Sequence, residues 1–156
     1  MIVAVTGHRK LGGYGPSLLQ NRVRAEILDA LVRLQATSAI SGMALGVDQW
    51  AAEDCVFHGI PFTAAIPFDG QELAWPLEAQ VHYHEILARA AVRHIVCPGN
   101  YAPWKMQRRN EYMVDNCDAL FAVWDGSPGG TENCVKYAEQ VGKPVWRIDP
   151  KKLEAR

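Results

Sequence analysis

The chain has 156 residues, 49% of them apolar and 21% charged, which is the length and balance of one domain with a core large enough to fold without disulfides or metal. Lys and Arg number 16 against 17 Asp and Glu, a net charge of −1. That excludes a polybasic coat gripping nucleic acid through many phosphates, and equally an acidic tail.

The opening run Met1–Gly7 has no basic flank, and the longest apolar stretches fall far short of a membrane span, so a cytoplasmic protein without membrane contact is expected. Cys55, Cys97, Cys117 and Cys134 are scattered, with no CxxC pair and no zinc-finger spacing; they read as reduced, mostly buried thiols. His82 and His84 lie two apart, and on a helix such residues face away from each other, so a solvated surface is expected rather than a ligand pair. No metal or cofactor is expected.

Short β-branched or aromatic runs alternate with longer helical patterns. Ile2–Thr6 is the first predicted strand, followed by a loop over Gly7–Pro16. The spacing predicts a helix from Pro16 to about Leu34, with Leu19, Val23, Ile27, Leu31 and Leu34 inward and Arg22, Glu26, Asp29 and Arg33 outward. A short strand over Ser38–Ile40 leads to a helix over Asp48–His58, stopped by Gly59 as a C′ residue. Pro61–Ile66 is a third strand and Pro67–Pro76 a loop. A helix from about Leu77 to Ala91 precedes a strand at Arg93–Val96. Pro98–Lys105 reads as irregular, Gln107–Asn116 as a short helix, and Ala119–Trp124 as a strongly apolar strand. The Asp125–Thr131 turn opens a helix to about Val141, and Val145–Ile148 is the last strand. Six strands alternating with about five helices predict an α/β, Rossmann-like open sheet, mostly parallel, with helices on both faces and one domain over residues 1–156.

Ligands of such sheets bind beyond the carboxyl ends of the strands. The unusual residues fall there: Gly7-His8-Arg9 after the first strand, Ser41-Gly42 through Gly46 and Asp48 after the second, Pro67–Trp75 after the third, and Asp125–Thr131 after the fifth. Gly129-Gly130-Thr131 and Gly42–Gly46 each sit between a strand and a helix, where bare backbone N–H groups form a phosphate cradle. Neither has Walker A or GxGxxG spacing, and each alone is also consistent with turn chemistry, Thr131 serving as an N-cap. Arg108 and Arg109 are adjacent on a predicted helix, about 100° apart, so one of them faces the site and suits bidentate phosphate recognition. Trp75, Trp104 and Trp124 flank the same loops as core, rim or stacking residues.

Ser41-Gly42-Met43-Ala44-Leu45-Gly46-Val47-Asp48 resembles the SGxAxGxD segment of the DprA family of single-stranded DNA-binding recombination mediators. Met106, Arg109, Asn110, Met113, Asp118-Ala119 and Gly129-Gly130-Thr131 are similar to the MxxRKxxM…DAF…PGGxGT region of the LOG family, phosphoribohydrolases that release a base from a nucleoside 5′-monophosphate. Together these mark the SLOG superfamily. Its bacterial and phage YspA-like branch is the nearest resemblance, with TGHR, GxAxGxDxxAAE, IPFxGQ, RNxxMV and AVWDGxxGGT matched by Thr6–Arg9, Gly42–Glu53, Ile66–Gln71, Arg109–Val114 and Ala122–Thr131.

The resemblance implies a nucleotide-derived small-molecule ligand, its phosphate on the Gly129–Thr131 helix end with Arg109 nearby, and a possible homodimer. It also implies a glutamate just after the GT step. Here Thr131 is followed by Glu132-Asn133-Cys134, so Glu132 stands one residue early, and Asn110 replaces the family's Lys. Arg109 and Glu132 are the catalytic candidates if the protein hydrolyses an N-glycosidic bond, with Asp48 and Asp125 as other acids for that step or as partners of ribose hydroxyls. His8, Arg9 and Trp75 are expected over the sugar or base. Sensor and hydrolase stand equally, and a DprA-like single-stranded DNA binder is the alternative. Arg9, Lys105, Arg108 and Arg109 at the predicted edge are interspersed with Asp48, Asp69, Glu72, Asp125 and Glu132, which suits one compact nucleotide better than a long strand.

Overall fold

The computed structural model describes residues 1–9 and 17–154. Residues 10–16 of the expected Gly7–Pro16 loop lie outside that range. Strands β1 (Ile2–Gly7), β2 (Ser38–Ser41), β3 (Phe62–Ile66), β4 (Val92–Ile95), β5 (Ala119–Val123) and β6 (Val145–Ile148) alternate with helices α1 (Leu18–Arg33), α2 (Val47–His58), α3 (Leu77–Leu87), α4 (Pro103–Asp115), α5 (Gly130–Gln140) and α6 (Pro150–Glu154). All neighbouring strands are parallel, in the order β4-β3-β2-β1-β5-β6. This is the Rossmann-like α/β fold.

The period-two alternation of strand side chains sorts the core into two layers. Val3, Val5, Phe121 and Val123 face α1, α2, α3 and α6, where Val23, Ile27, Leu31, Trp50, Tyr83 and Leu153 pack. Ala4, Leu120 and Ala122 face α4 and α5, against Met113, Val114, Cys134 and Val135. Continuous apolar strands follow, because both faces of β1 and β5 are covered.

Successive strands step outward from β1 to β4, and the chain then crosses back to lay β5 on the other side of β1. Connections therefore leave β1 and β5 on opposite faces of the sheet, and a crevice opens between their carboxyl ends.

Several boundaries differ from the sequence expectation. Helix α1 starts at Leu18 because Ser17 caps it, its hydroxyl accepting from the Gln20 N–H at 3.1 Å. Helix α3 ends at Leu87, and by Ala91 the backbone already donates to the Phe62 carbonyl alongside β3. Helix α4 begins four residues early, at Pro103, which supplies a preset φ in the first turn and draws Trp104 and Lys105 into the helix. Helix α6 was not expected; Leu153 buries itself in the core and its carbonyl accepts from Arg22 at 2.9 Å. Gly59 ends α2 in the left-handed region, as read from the sequence.

All four cysteines are free thiols; Cys55, Cys117 and Cys134 are buried and Cys97 partly so. His82 and His84 point apart, His82 to Glu53 at 3.2 Å and His84 to Glu72 at 2.9 Å. Among the described residues, no helix is long and apolar enough to cross a membrane.

One contact sets how closely α2 approaches β1. A Cβ on Gly7 would stand 2.5 Å from Val47 Cγ1 and 2.7 Å from its Cβ, so the first turn of α2 rests directly on the end of β1. Gly7→Ala is expected to cost about 1–3 kcal/mol of stability through overpacking. In a double-mutant cycle, Val47→Ala should restore part of that loss, and urea denaturation reads the coupling; additive losses would refute the contact.

Candidate functional site

A cleft of about 200 Å³ opens at the crevice between β1 and β5. Thr6, Gly7, His8 and Arg9 line one side, and Ser127 through Thr131 line another; α4 contributes Met106, Arg109 and Asn110, and the β2–α2 segment contributes Ala44 and Asp48. Nine of the residues expected at the site from sequence thus meet in one place: Gly7, His8, Arg9, Asp48, Arg109, Asn110, Gly129, Gly130 and Thr131.

Arg109 is the centre of the arrangement and is only 5% exposed. Its Nη1 donates to the Gly42 carbonyl at 2.6 Å, and its Nε to Asn110 Oδ1 at 3.1 Å. Asn110 in turn donates to the Gly130 carbonyl at 3.3 Å, which ties α4 to the start of α5. Arg108, about 100° further round α4, is exposed and does not line the cleft, so of the two neighbours Arg109 is the one that faces it. Burial lowers the Arg109 pKa while neighbouring Asp48 opposes that shift; a guanidinium stays charged regardless. Gly42 is required here, because a Cβ would come within 2.5 Å of Arg109 Nη1 and 2.8 Å of Asp48 Oδ2.

Asp48 is the acidic counterpart. It is buried, its Oδ2 accepting from the Ala44 N–H at 3.3 Å. Loss of water pushes its pKa from the ordinary 3.8 up to about 6, against the pull of Arg109, the Ala44 N–H and Arg9.

The opposite wall is the N-terminus of α5. Gly129 is the N-cap, with φ 146°, a conformation that side-chain-bearing residues rarely adopt, and no side chain caps the helix. Thr131 therefore lies inside the first turn and is not the cap. The first-turn N–H groups, uncapped by any side chain, carry the positive end of the helix dipole at the cleft.

His8 and Asp125 join the β1 and β5 loops. His8 Nε2 lies 3.0 Å from the Asp125 N–H and 3.1 Å from Asp125 Oδ1. The Ser127 hydroxyl and amide also donate to Asp125, holding its pKa down at about 2. Asp125 thus fixes His8 and does not itself line the cleft.

The remaining expected residues take other positions. Ser41 is buried under the β2–α2 turn, donating to the Asp48 carbonyl at 2.7 Å and accepting from the Met43 N–H at 3.1 Å. Gly46 caps α2 against the backbone carbonyls of His8 and Arg9. Glu132 pairs with Lys136 at 3.3 Å and is not a cleft-lining residue. Cys134 sits in the core, where burial pushes its thiol up to about 12. Trp75 packs edge-on against Tyr83 and lines a second cleft beside the first. Trp124 donates to the Ser127 carbonyl at 2.8 Å beneath Arg147, and Trp104 is exposed. Sequence reasoning assigned no role to Met106, although it stands one turn before Arg109 on the same helix face. Thr6, Ser127 and Pro128 were not singled out, although the last two lie in the expected Asp125–Thr131 loop; of the expected Gly42–Gly46 cradle only Ala44 lines the cleft, and its N–H is taken by Asp48 Oδ2.

The pKa of Asp48 has a stability consequence with a definite sign. The folded chain holds this proton more tightly than the unfolded one, so stability falls as pH rises from about 4 to above 6. Asp48→Asn keeps an oxygen for the Ala44 N–H and is expected to raise Tm at pH 7.5 by several degrees, with an upper limit of about 3 kcal/mol. The gain should shrink as pH falls from 6 to 4. A lower Tm at pH 7.5 would mean that attraction to Arg109 outweighs burial.

This chain is 34% identical, over 85% of its length and 88% of the relative's, to the uncharacterized SPbeta prophage-derived protein YoqJ of Bacillus subtilis strain 168. Its fold is similar to that of DNA processing protein A from Helicobacter pylori, described for its single-stranded DNA binding mode, at a TM-score of 0.70 and 19% identity over 97% of this chain and 70% of that one. It also resembles the molybdenum cofactor carrier protein of Chlamydomonas reinhardtii, at a TM-score of 0.59 and 18% identity over 94% of this chain and 74% of that one. Residues 15–153, which hold four of the five motifs and all of β2 to β6, match the YspA SLOG family, and the chain belongs to it.

Proposed function

We propose that the protein is a cytoplasmic binder and sensor of a nucleotide-derived small molecule. The observation that carries this reading is the convergence, in one 200 Å³ cleft, of the buried Arg109 and the uncapped N-terminus of α5. A guanidinium and a row of backbone N–H groups facing one space form a receptor for a phosphate. Asp48 stands where a carboxylate can accept from sugar hydroxyls, and His8 and Arg9 border the same space.

Binding is favoured over cleavage because, among the described residues, Asp48 is the only carboxylate lining the cleft. Glycosidic hydrolysis requires proton transfer at the base as well as stabilisation of the sugar cation, and Glu132 is turned to Lys136.

Related folds carry a small cofactor or bind single-stranded DNA, so the site and not the fold must choose between ligand classes. A DNA strand needs a continuous basic groove. Here Arg9 and Arg109 are matched by Asp48, with Asp125 behind His8, and the whole chain carries −1. No gel shift with oligo-dT is expected at physiological salt; a salt-sensitive shift would favour the DNA reading.

A panel of nucleoside monophosphates and ADP-ribose tests the proposal by thermal shift and by base release. At least one ligand at millimolar concentration is expected to raise Tm by several degrees, with no free base formed. Arg9→Ala, which removes an exposed side chain, should weaken that ligand about tenfold. Absence of any shift across the panel overturns the binding reading, and base release overturns the sensor in favour of a hydrolase.

A further inference from the structure

The 200 Å³ cleft is smaller than the roughly 300–1,000 Å³ of most small-molecule sites. Beside it lies a second cleft of about 560 Å³, and Arg9 and Met106 line both. The second cleft is walled by aromatic and aliphatic groups: Phe68, Leu73, Trp75 and Tyr101. Phe68 and Tyr101 meet edge-on with centroids 5.3 Å apart. Polar groups border the same space, Asp69 and Asn100 among them.

These walls are preformed. The Asp69 N–H donates to the Gly99 carbonyl at 3.0 Å, and the Gly99 N–H donates back to Asp69 Oδ2 at 2.6 Å. Lys105 Nζ donates to the Pro98 and Asn100 carbonyls at 3.1 and 2.6 Å. The β3–α3 and β4–α4 loops are thus locked to each other and to α4. Gln71, which also lines the second cleft, donates to the Gly42 carbonyl at 3.3 Å, the same oxygen that holds Arg109. One carbonyl therefore fixes a wall of the second cleft and the cation of the first.

We propose that the second cleft seats the planar heteroaromatic ring of the ligand whose phosphate occupies the first. This rests on the phosphate-binding reading above and extends it. Three features specify a ring: aromatic walls that offer stacking faces, a rim of polar groups for a heteroaromatic edge, and direct continuity with the phosphate receptor. A ligand bound through phosphate and sugar alone would leave the larger and more apolar of the two spaces unused.

Ribose 5-phosphate and adenosine 5′-monophosphate are the probes, measured by calorimetry on the full chain. Wild-type protein is expected to bind the nucleotide at least tenfold more tightly than the sugar phosphate, the gain of one stacked base. Two variants alter the second cleft at exposed positions: Ala74→Trp fills it, and Tyr101→Ala removes a wall. Each should weaken the nucleotide about tenfold and leave ribose 5-phosphate unchanged. Equal affinity of the two probes for wild-type protein overturns the ring seat while leaving the phosphate receptor standing. So do variants that lose both probes alike or neither. If neither probe binds wild-type protein at millimolar concentration, the phosphate receptor fails and the ring seat with it.

Discussion

A cation withdrawn from water organises this end of the molecule. Arg109 must find partners for a charge that is almost fully buried, and an unpartnered charge in such a place would cost several kcal/mol. Its partners come from different parts of the chain: the carbonyl of Gly42 after β2, the amide of Asn110 on its own helix, and the nearby carboxylate of Asp48 at the start of α2. Gln71, from the loop after β3, shares the same carbonyl. The positions of the loops are therefore set by what one guanidinium needs, and the missing side chain at Gly42 is part of that requirement.

Topology supplies what the arginine does not. Reversal of strand order between β1 and β5 brings the Gly7–Arg9 and Asp125–Thr131 segments face to face. Each device there works against stability: a carboxylate raised by burial, a helix left without a side-chain cap, a glycine N-cap in a conformation other residues avoid. Elsewhere the sheet is closely packed with well-covered apolar strands. Concentration of such local costs at one strand edge sets this edge apart from the rest of the sheet as the candidate functional site.

The fold was legible in the sequence because buried parallel strands read as apolar runs and α1 carries its inner face at helical spacing. Two helices were not read correctly, for definite reasons. Helix α6 has five residues, too few to display a period, and α4 opens after a stretch rich in Pro, Gly and Asn that resembles loop as far as Lys105. Candidate residues that line the cleft were legible where the backbone alone decides, as at Gly7 or Gly129-Gly130; helical spacing left Arg108 and Arg109 both open, and the family resemblance pointed to Arg109. Asp125 and Trp75 lie on the expected loops and Glu132 in the first turn of the expected helix, but the direction of each side chain depends on its partner: His8, 117 positions away, for Asp125, Tyr83 for Trp75 and Lys136 for Glu132. Phe68 and Tyr101 gave no signal of their own, since their pairing exists only once two separate loops are joined.

The pairing of β1 with β5 closes the chain over a long span. Ile2 donates to Asp118 across 116 positions, and His8 meets Asp125 across 117. The two sides of the cleft are therefore strangers until β5, the fifth strand of six, has been laid down. Closure of so long a loop is slow compared with local helix formation. A folding intermediate holding β1 to β4 alone has half a cleft and no helix end to complete it. The ligand proposed for this cleft needs both halves, so its binding would report on completed folding and draw on the equilibrium of the whole sheet.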